Sequence, residues 1–187
     1  MSKTVELIRR YVPDCEQEKN DAQLIIKAEE FFGDILTRSN EYCHFTASAF
    51  VINKQHTKVL CIYHNIYNSW SWIGGHADGD DDMLCVAKKE TREETSLANF
   101  KVLSDMPISI EILPVKGHVR KGSYVSAHTH FNLTYLFEAD EHDAVKILEE
   151  ENSNIAWLEF DKFIASSDEA HMIPVYEKII EKIRRNY

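Results

Sequence analysis

The sequence predicts an α+β fold, an α/β/α sandwich in which helices flank a mixed β-sheet. Helical spacing occupies both ends of the 187-residue chain, and strand-like alternation begins at Phe45. Strands and helices then interleave without the regular βα period of a doubly wound sheet. The chain length and the 44% hydrophobic content suit one domain with a sizeable core.

The N-terminal part of the chain predicts two helices, over residues 3–12 and about 15–32. Pro13-Asp14 separates them, because proline disfavours helix at the preceding residue and aspartate can cap the next helix. We expect residues 1–40 to form a helical extension and residues 41–187 to form the main domain, including its C-terminal helix. The N-terminal residues are charged and lack the apolar core of a signal peptide.

The central part predicts strands at FTASAFVI and KVLCIYH, joined by a polar turn at residues 53–56. The short aromatic strand SWSWI then leads into Gly74-Gly75, and helical spacing returns from about Asp82 to Thr95. After this helix we expect strands at ISIEILPV, AHTHFNLTYLFEA and IAWLEF, with KGHVRKGS as a loop. A helix with one apolar stripe closes the chain, over about residues 171–185.

Charge and cysteine usage exclude several classes. A net charge of -10 argues against sequence-independent binding of nucleic acid. No run approaches the roughly 18 apolar residues of a membrane span. The four cysteines show no CxxC spacing, so a thiolate zinc site is not expected, and we predict a reduced, cytoplasmic protein. Cys61 and Cys85 have apolar sequence neighbours and are predicted to be small core residues.

The helix at residues 82–95 carries the chemistry that the sequence predicts. Glu90, Glu93 and Glu94 stand at i, i+3 and i+4, so the three carboxylates project from one face. They lie in the last turns, where the helix dipole is negative and each anion costs several tenths of a kcal/mol. Mg²⁺ or Mn²⁺ is the natural counter-charge for hard carboxylate oxygens. Taken alone, the same residues would suit a solvated helix face.

The surrounding residues resemble the Nudix box, G-x5-E-x7-R-E-U-x-E-E-x-G-U, where U is aliphatic. Gly75 opens the pattern, and the segment Lys89–Leu97 closes it with matching spacing. The resemblance extends from about residue 44 to 165 and implies the Nudix fold. Four identities depart from the pattern: Asp81 replaces Glu, Lys89 replaces Arg, Thr91 replaces the aliphatic residue and Ser96 replaces the closing glycine. Either Ser96 adopts a positive φ, at about 1–2 kcal/mol, or the helix ends differently.

The resemblance implies a Mg²⁺-dependent (or Mn²⁺-dependent) pyrophosphohydrolase that splits X-diphosphate-Y into X-phosphate and Y-phosphate. Carried over, Glu90 and Glu94 are metal ligands, Glu93 is a further ligand or orients the attacking water, and the Gly75 carbonyl is a backbone ligand. Family members often add a later carboxylate; the candidates are Glu149, Glu150 and Glu151, and we favour Glu151. An acidic loop is the alternative for that trio.

His128 and His130 form an H-x-H on a predicted strand, so both side chains share one face. With Gly122 they satisfy the start of a cupin metal motif, but Thr134 and Tyr135 occupy the positions where that motif needs Glu. A cupin-like metal site is therefore an alternative. We expect the two histidines to line the substrate side of the sheet, with a structural role as the competing interpretation.

Further substrate-binding candidates are Lys89, Arg120 and Trp72. Arg120 belongs to the basic cluster at Lys116, His118, Arg120 and Lys121, which could hold an outer phosphate or lie in a solvated loop. Trp72 shares a strand face with Trp70 and could stack on a base, although packing is the commoner role. We expect a small-molecule nucleotide or another diphosphate as substrate. The N-terminal helices could cap the sheet or pair two subunits in a homodimer.

A second function class is a Nudix-fold ligand sensor that has lost catalysis. The substitutions at Lys89, Thr91 and Ser96 favour it. The intact glutamates, and a sequence without a helix-turn-helix pattern for DNA, count against it.

Overall fold

The computed structural model describes residues 2–120, 122–148 and 152–187, with the backbone alone for Arg120. The helices are α1 (Lys3–Arg10), α2 (Glu16–Phe32), α3 (Met83–Thr95), α4 (Phe160–Ser166) and α5 (Ile173–Asn186). The strands are β1 (Cys43–Asn53), β2 (Lys58–His64), β3 (Ser69–Ser71), β4 (Ile73–His76), β5 (Lys101–Val102), β6 (Ser109–Val115), β7 (His118–Arg120), β8 (Ser123–Val125), β9 (His128–Ala139) and β10 (Asn152–Glu159).

The sheet is mixed, as the sequence predicted. Within the described residues it has eight strands in the order β10-β2-β1-β9-β5, with β3 paired to β2, β4 to β1 and β6 to β9. The central strands β1 and β9 run parallel, and the other pairings in this sheet are antiparallel. Strand β1 pairs with β2 near its end and with β4 near its start. The Gly74-Gly75 segment therefore lies beside the first half of the longest parallel pair.

Two hydrophobic cores lie on opposite faces of this sheet. Strand β1 shows the division, because Ala47 and Val51 belong to the core shared with α1, α2 and α3, whereas Phe50 and Ile52 belong to the core shared with α4 and α5. Successive strand residues alternate between faces, so one strand contributes to both cores. Helices on both faces give the α/β/α sandwich that the sequence predicted.

The face beneath α5 changes from polar to apolar along its length. In β1 the residues of this face are His44, Thr46 and Ser48 before Phe50, and all four are buried. In β9 the polar residues on this face likewise precede Leu136, which is buried in the α4–α5 core. One half of the face therefore packs under α5, and the other half keeps polar side chains where β1 and β9 begin.

The N-terminal helices share a core with the sheet. Val5 and Ile25 are completely buried in the same cluster as β1. Glu18 of α2 is also buried, and it forms ion pairs with Lys178, at 3.3 Å, and with Lys182 of α5. Helix α2 is thus joined to α5 by buried charges. The division at residue 40 stays a prediction.

Three details differ from the sequence prediction. The KGHVRKGS segment was expected to be a loop but forms part of a β7–β8 hairpin, in which Gly122 adopts a φ of 82° that suits a tight turn. Helix α4 follows β10 directly and was missed, because no turn residue marks its start. Cys61 is buried as predicted, but Cys85 is exposed, since it lies on the face of α3 opposite Val86 and Ala87.

Candidate active site

Helix α3 begins and ends with local contacts that the sequence suggested. The Asp82 side chain caps the helix by accepting a hydrogen bond from the Cys85 N–H at 3.0 Å. At the other end Ser96 has φ 54° and ψ 13°, so of the two helix ends that the sequence left open, the structure has the one with a positive φ at Ser96. Its N–H donates to the Arg92 carbonyl at 2.9 Å. The helix therefore ends at the buried Thr95, directly after Glu94.

Glu94 is the most constrained of the three helix carboxylates. It is 2% exposed, and its Oε2 accepts a hydrogen bond from the Gly74 N–H at 2.9 Å. Its Oε1 accepts a second bond from the Asn152 side-chain amide at 3.3 Å. Burying a charge is costly unless donors surround it. These two donors, from β4 and β10, therefore hold the carboxylate in one orientation beside the glycine pair.

Glu90 meets the same glycine pair from one helical turn earlier. A Cβ atom at Gly75 would lie 2.4 Å from Cδ of Glu90, which is closer than any real contact. Only glycine leaves room for this carboxylate against the strand. Glu90 and Glu94 therefore converge on the Gly74-Gly75 backbone, where the sequence placed the metal ligands.

Glu93 lies differently from its two neighbours. Its side chain is 53% exposed, and the Lys89 ammonium lies 3.7 Å from Glu93 Oε2 and 3.8 Å from Glu90 Oε1. Lys89 is itself 60% exposed, so these contacts are loose and contribute little to stability. Glu93 is accessible to solvent at the rim of the cluster. Lys89 does not orient a glutamate, whereas the hydrogen-bond donors to Glu94 do orient that carboxylate.

The other departures from the box have local explanations. Thr91 is completely buried, and its hydroxyl donates to the Ala87 carbonyl at 2.7 Å, so the polar atom is satisfied within the helix. Asp81 accepts a hydrogen bond from the Lys3 ammonium at 3.1 Å, and its carbonyl accepts one from the Thr4 hydroxyl at 2.9 Å. The box loop therefore binds the start of the N-terminal extension.

Several predicted site residues lie outside the described part of the chain. Glu149, Glu150 and Glu151 are among them, as are Lys121 and the side chain of Arg120. The role assigned to Glu151 stays a prediction. Asn152, the next residue in the sequence, donates to Glu94. Sequence reasoning missed Asn152, because an isolated asparagine before a strand carries no motif.

Trp72 packs inside the protein. Its ring is buried in the α4–α5 core and meets Tyr176 edge to face, with the centroids 5.3 Å apart. Trp70 is half-buried and packs against the same core. This arrangement favours the packing role that the sequence left open over stacking on a base.

His128 and His130 meet two further histidines. His44 opens β1 and lies opposite His130 in the parallel register, and His76 ends β4 opposite Thr46. The His44 ring centroid is 5.2 Å from His76, 4.9 Å from His128 and 5.0 Å from His130. Sequence reasoning missed His44 and His76, because only the pairing of strands far apart in the sequence brings the four rings together.

A buried polar network continues along the same face. The Asn132 side-chain carbonyl accepts hydrogen bonds from Thr46 and Ser48, each at 2.9 Å. Its amide donates to Thr134 at 3.0 Å and to Glu111 at 3.4 Å. These buried side chains satisfy one another's hydrogen bonds, and they continue the polar half of this face beyond the histidines. Asn132 and Glu111 were also missed from the sequence.

A comparison with protein families identifies the domain. The sequence model of the NUDIX domain family matches residues 44–179. The chain belongs to the Nudix family. The match begins at His44 and includes the carboxylate helix, and it identifies the protein as a Nudix hydrolase. A search of curated protein sequences found no match.

Solved structures of Nudix proteins share the fold. A Caenorhabditis elegans Ap4A hydrolase binary complex has a TM-score of 0.54 at 20% identity, covering 75% of this chain and 98% of that chain. A NUDIX family hydrolase from Clostridium perfringens has a TM-score of 0.52 at 18% identity, covering 74% and 96%. The Escherichia coli dihydroneopterin triphosphate pyrophosphohydrolase has a TM-score of 0.54 at 11% identity, covering 73% and 94%.

The Nudix assignment replaces the cupin alternative. His128 and His130 lie on a strand of the Nudix sheet, and their neighbours His44 and His76 come from earlier strands instead of a downstream cupin half-motif. None of the described helices has the length and apolar character needed to cross a membrane.

Proposed function

We propose that this Nudix protein catalyses the Mg²⁺-dependent hydrolysis of a nucleoside diphosphate linked to another moiety. The products are X-phosphate and Y-phosphate, and Mn²⁺ would substitute for Mg²⁺. The observation that carries the proposal is the convergence of Glu90 and Glu94 on the Gly74-Gly75 backbone. Two anions gathered near the negative end of a helix are stabilised by a cation, and a divalent metal ion can supply that charge.

The residues at this point fit a hard divalent ion. Glu90 and Glu94 offer carboxylate oxygens, Glu93 adds a third at the rim, and the Gly75 carbonyl is a neutral oxygen beside them. Oxygen donors of this kind suit Mg²⁺ and Mn²⁺. When bound, the metal would neutralise phosphate charge and lower the pKa of a coordinated water.

The protein's own contribution is orientation and proton transfer. The Gly74 N–H and the Asn152 amide hold Glu94, so no reorientation is needed during the reaction. Glu93 is exposed and can accept the proton of the attacking water at a carboxylate oxygen. The water oxygen bonds to phosphorus as the bridging P–O bond breaks, and the leaving phosphate departs with that oxygen. Glu151 is proposed as an assisting carboxylate.

We propose different roles for the remaining predicted binding residues, Lys89 and Arg120. Lys89 lies within 4 Å of two glutamates, so we propose that it balances their charge more than it binds substrate. Arg120 belongs to the β7–β8 hairpin and is proposed to contact an outer phosphate. The homodimer and a cytoplasmic location remain proposals.

The first experiment measures phosphate or nucleotide release from a panel of diphosphate compounds, with Mg²⁺ and with EDTA. The panel contains nucleoside triphosphates, ADP-ribose, nucleotide sugars and coenzyme A. Dinucleoside polyphosphates and dihydroneopterin triphosphate are added because two structural neighbours carry those names. Glu94→Gln removes one charge from the cluster, and Glu177→Gln makes the same change at an exposed position of α5.

We expect turnover that requires the metal and that falls at least about 10²-fold in Glu94→Gln, as loss of a group that supports acid–base or metal chemistry should cause. Glu177→Gln should match the wild type. Equal turnover in EDTA, or an equal effect of both substitutions, would contradict the proposal. Failure of both turnover and Mg²⁺ binding would instead support the ligand-sensor function.

A further inference from the structure

The histidine cluster consists of His44, His76, His128 and His130, and it lies where β1 and β9 begin and β4 ends. One ring nitrogen from each of His44, His76 and His130 lies within 4.8 Å of the corresponding nitrogens of the other two. His128 adds a fourth ring, whose Nε2 lies 3.1 Å from Nε2 of His130. Three separate strands therefore direct imidazole nitrogens toward one point.

Hydrogen bonds fix which nitrogens carry lone pairs. His44 Nδ1 lies 3.0 Å from the Asn40 carbonyl, and His128 Nδ1 lies 2.8 Å from the Ser126 carbonyl. A carbonyl only accepts, so both Nδ1 atoms carry protons, and both Nε2 atoms present lone pairs. Metal-binding histidines usually donate their second ring N–H to a carbonyl or carboxylate in this way.

His44 has a buried ring nitrogen that requires a partner. The residue is 4% exposed, and within the described part of the chain its Nε2 has no hydrogen-bond partner. A buried polar atom without a partner costs about 1–3 kcal/mol. Since the lone pair faces other imidazoles, a shared cation would satisfy it.

The charge state of the cluster distinguishes a cation from an anion as its ligand. Burial, with the neighbouring His76 and His44, lowers the pKa of His130 to about 2. Burial also lowers the pKa of His44, with further lowering by His128 and Arg38, although its bond to Asn40 opposes the shift. Neutral His44 and His130 offer lone pairs to a metal ion but no positive charge to a phosphate.

We propose that His44, His76 and His130 bind one divalent transition-metal ion of the zinc class, with His128 as the adjacent fourth donor. Imidazole nitrogen suits Zn²⁺, Ni²⁺ and Cu²⁺, whereas Mg²⁺ prefers oxygen. In a tetrahedral zinc site with bonds of about 2.0–2.1 Å, neighbouring ligand nitrogens are about 3.3 Å apart. The 3.1 Å between His128 Nε2 and His130 Nε2 is a hydrogen bond whose proton a bound metal would displace. The nitrogens of His44, His76 and His130, within 4.8 Å of one another, would have to approach by up to about 1.5 Å.

This site is separate from the carboxylate site, although the two are adjacent in sequence. His76 directly follows Gly75, and Gly75 contacts Glu90. One peptide unit therefore divides an oxygen-rich site from a nitrogen-rich one. The proposal concerns metal binding alone and does not depend on the hydrolase activity.

The test is a titration of Zn²⁺ into the untagged full-length protein by calorimetry, in the presence of excess Mg²⁺ and without phosphate. A polyhistidine tag must be absent because it would bind the same ion. We expect one zinc ion per chain, and Co²⁺ in its place should give the visible absorption of a four-coordinate site. His76→Gln and His130→Gln should each weaken Zn²⁺ binding by more than the about 10- to 100-fold that loss of an outer-shell partner causes.

Two control variants keep the test specific. His142→Gln removes an exposed histidine outside the cluster, and Glu94→Gln alters the carboxylate site, so both should bind Zn²⁺ like the wild type. Melting curves establish that each variant is folded, and half-buried His76 serves as the gentler substitution.

Three results would overturn the proposal. The first is the absence of zinc binding by the folded wild type. The second is zinc binding that excess Mg²⁺ or Glu94→Gln abolishes while His76→Gln and His130→Gln retain it, because the ion would then occupy the carboxylates. The third is metal-free binding of inorganic phosphate that His130→Gln removes, which would make the cluster an anion site.

Discussion

Two polar clusters lie on either side of the Gly75-His76 peptide, and they differ in charge and in donor chemistry. The carboxylates Glu90 and Glu94 are anionic oxygen donors placed by one helix against one glycine pair. The histidine cluster is built from nitrogen donors on three strands, and burial lowers the pKa of its central member, His130. A hard ion suits the first cluster and a borderline ion suits the second.

A third charged cluster shows what happens when the protein supplies its own cation. Glu18 is as buried as Glu94, but it pairs with Lys178 and Lys182 of α5. A buried carboxylate paired with lysine serves stability, whereas we propose that Glu94, held by a backbone N–H and the Asn152 amide, binds a metal.

The largest expected effect comes from Glu18→Gln. This substitution leaves buried Lys182 without its carboxylate, whereas the partly exposed Lys178 keeps Glu111 at 3.0 Å. Breaking a buried pair typically costs about 3–5 kcal/mol of unfolding free energy. Urea unfolding measures the loss. The double variant Glu18→Gln with Lys182→Met should recover part of it, and no recovery would mean that the pair is not coupled.

Acid should weaken the ion pairs between Glu18 and the two lysines of α5. Burial opposes ionisation of Glu18, but the bonds from Lys182 and the Asp14 N–H, together with Lys178, hold its pKa below the usual value. A carboxylate with a lowered folded-state pKa stabilises the fold above its unfolded pKa of about 4.3 and loses that contribution as the pH falls. Wild type and Glu18→Gln should therefore converge in stability below about pH 4; parallel pH curves would contradict this.

Gly75→Ala should impair the carboxylate site and leave zinc binding at the histidines intact. The added Cβ would lie 2.4 Å from Glu90 Cδ, and Glu90 can move away because its side chain is flexible. The protein should therefore fold, but a carboxylate displaced by about 1 Å should lower turnover by about 10²-fold. Zinc binding at the histidines should persist. Unchanged turnover would remove Glu90 from the proposed chemistry.

Asn152→Ala should have a smaller effect on the same site. It removes the side-chain amide that donates to Glu94, and a hydrogen bond to a charged group contributes about 1.5–3 kcal/mol. We expect turnover to fall by about 10-fold or more, with a weaker apparent affinity for Mg²⁺. Asn154→Ala is a matched control two residues away. Equal behaviour of the two variants would show that Asn152 does not position Glu94.

Ser96→Gly should have the smallest effect on stability and activity. Ser96 adopts φ 54°, a conformation that costs non-glycine residues about 1–2 kcal/mol, and glycine loses part of that gain through greater freedom in the unfolded chain. We expect a gain of about 0.5–1 kcal/mol with turnover unchanged. Ser96→Ala should give no gain. A destabilised Ser96→Gly would show that the serine side chain, and not the backbone, sets the end of α3.

The sequence predicted what depends on local spacing. Glu90, Glu93 and Glu94 were placed on one helix face by their separation. A positive φ at Ser96 was one of two helix ends that the missing box glycine left open. The sandwich of helices on a mixed sheet followed from the change of period along the chain.

The features that the sequence did not reveal depend on strand register. His44 and His130 are far apart in the chain and meet only because β1 and β9 pair in parallel. Asn152 reaches Glu94 only because β10 lies across β2 from β1. Cys85 was misplaced because an apolar sequence neighbourhood does not specify which helix face a residue occupies.

The most direct measurement is anomalous diffraction from crystals soaked with Mn²⁺ and Zn²⁺, with data collected at each metal's absorption edge. We expect manganese among Glu90, Glu94 and the Gly75 carbonyl, and zinc among His44, His76 and His130. Both ions at one position, or manganese away from the glutamates, would contradict the assignment of two chemically distinct sites.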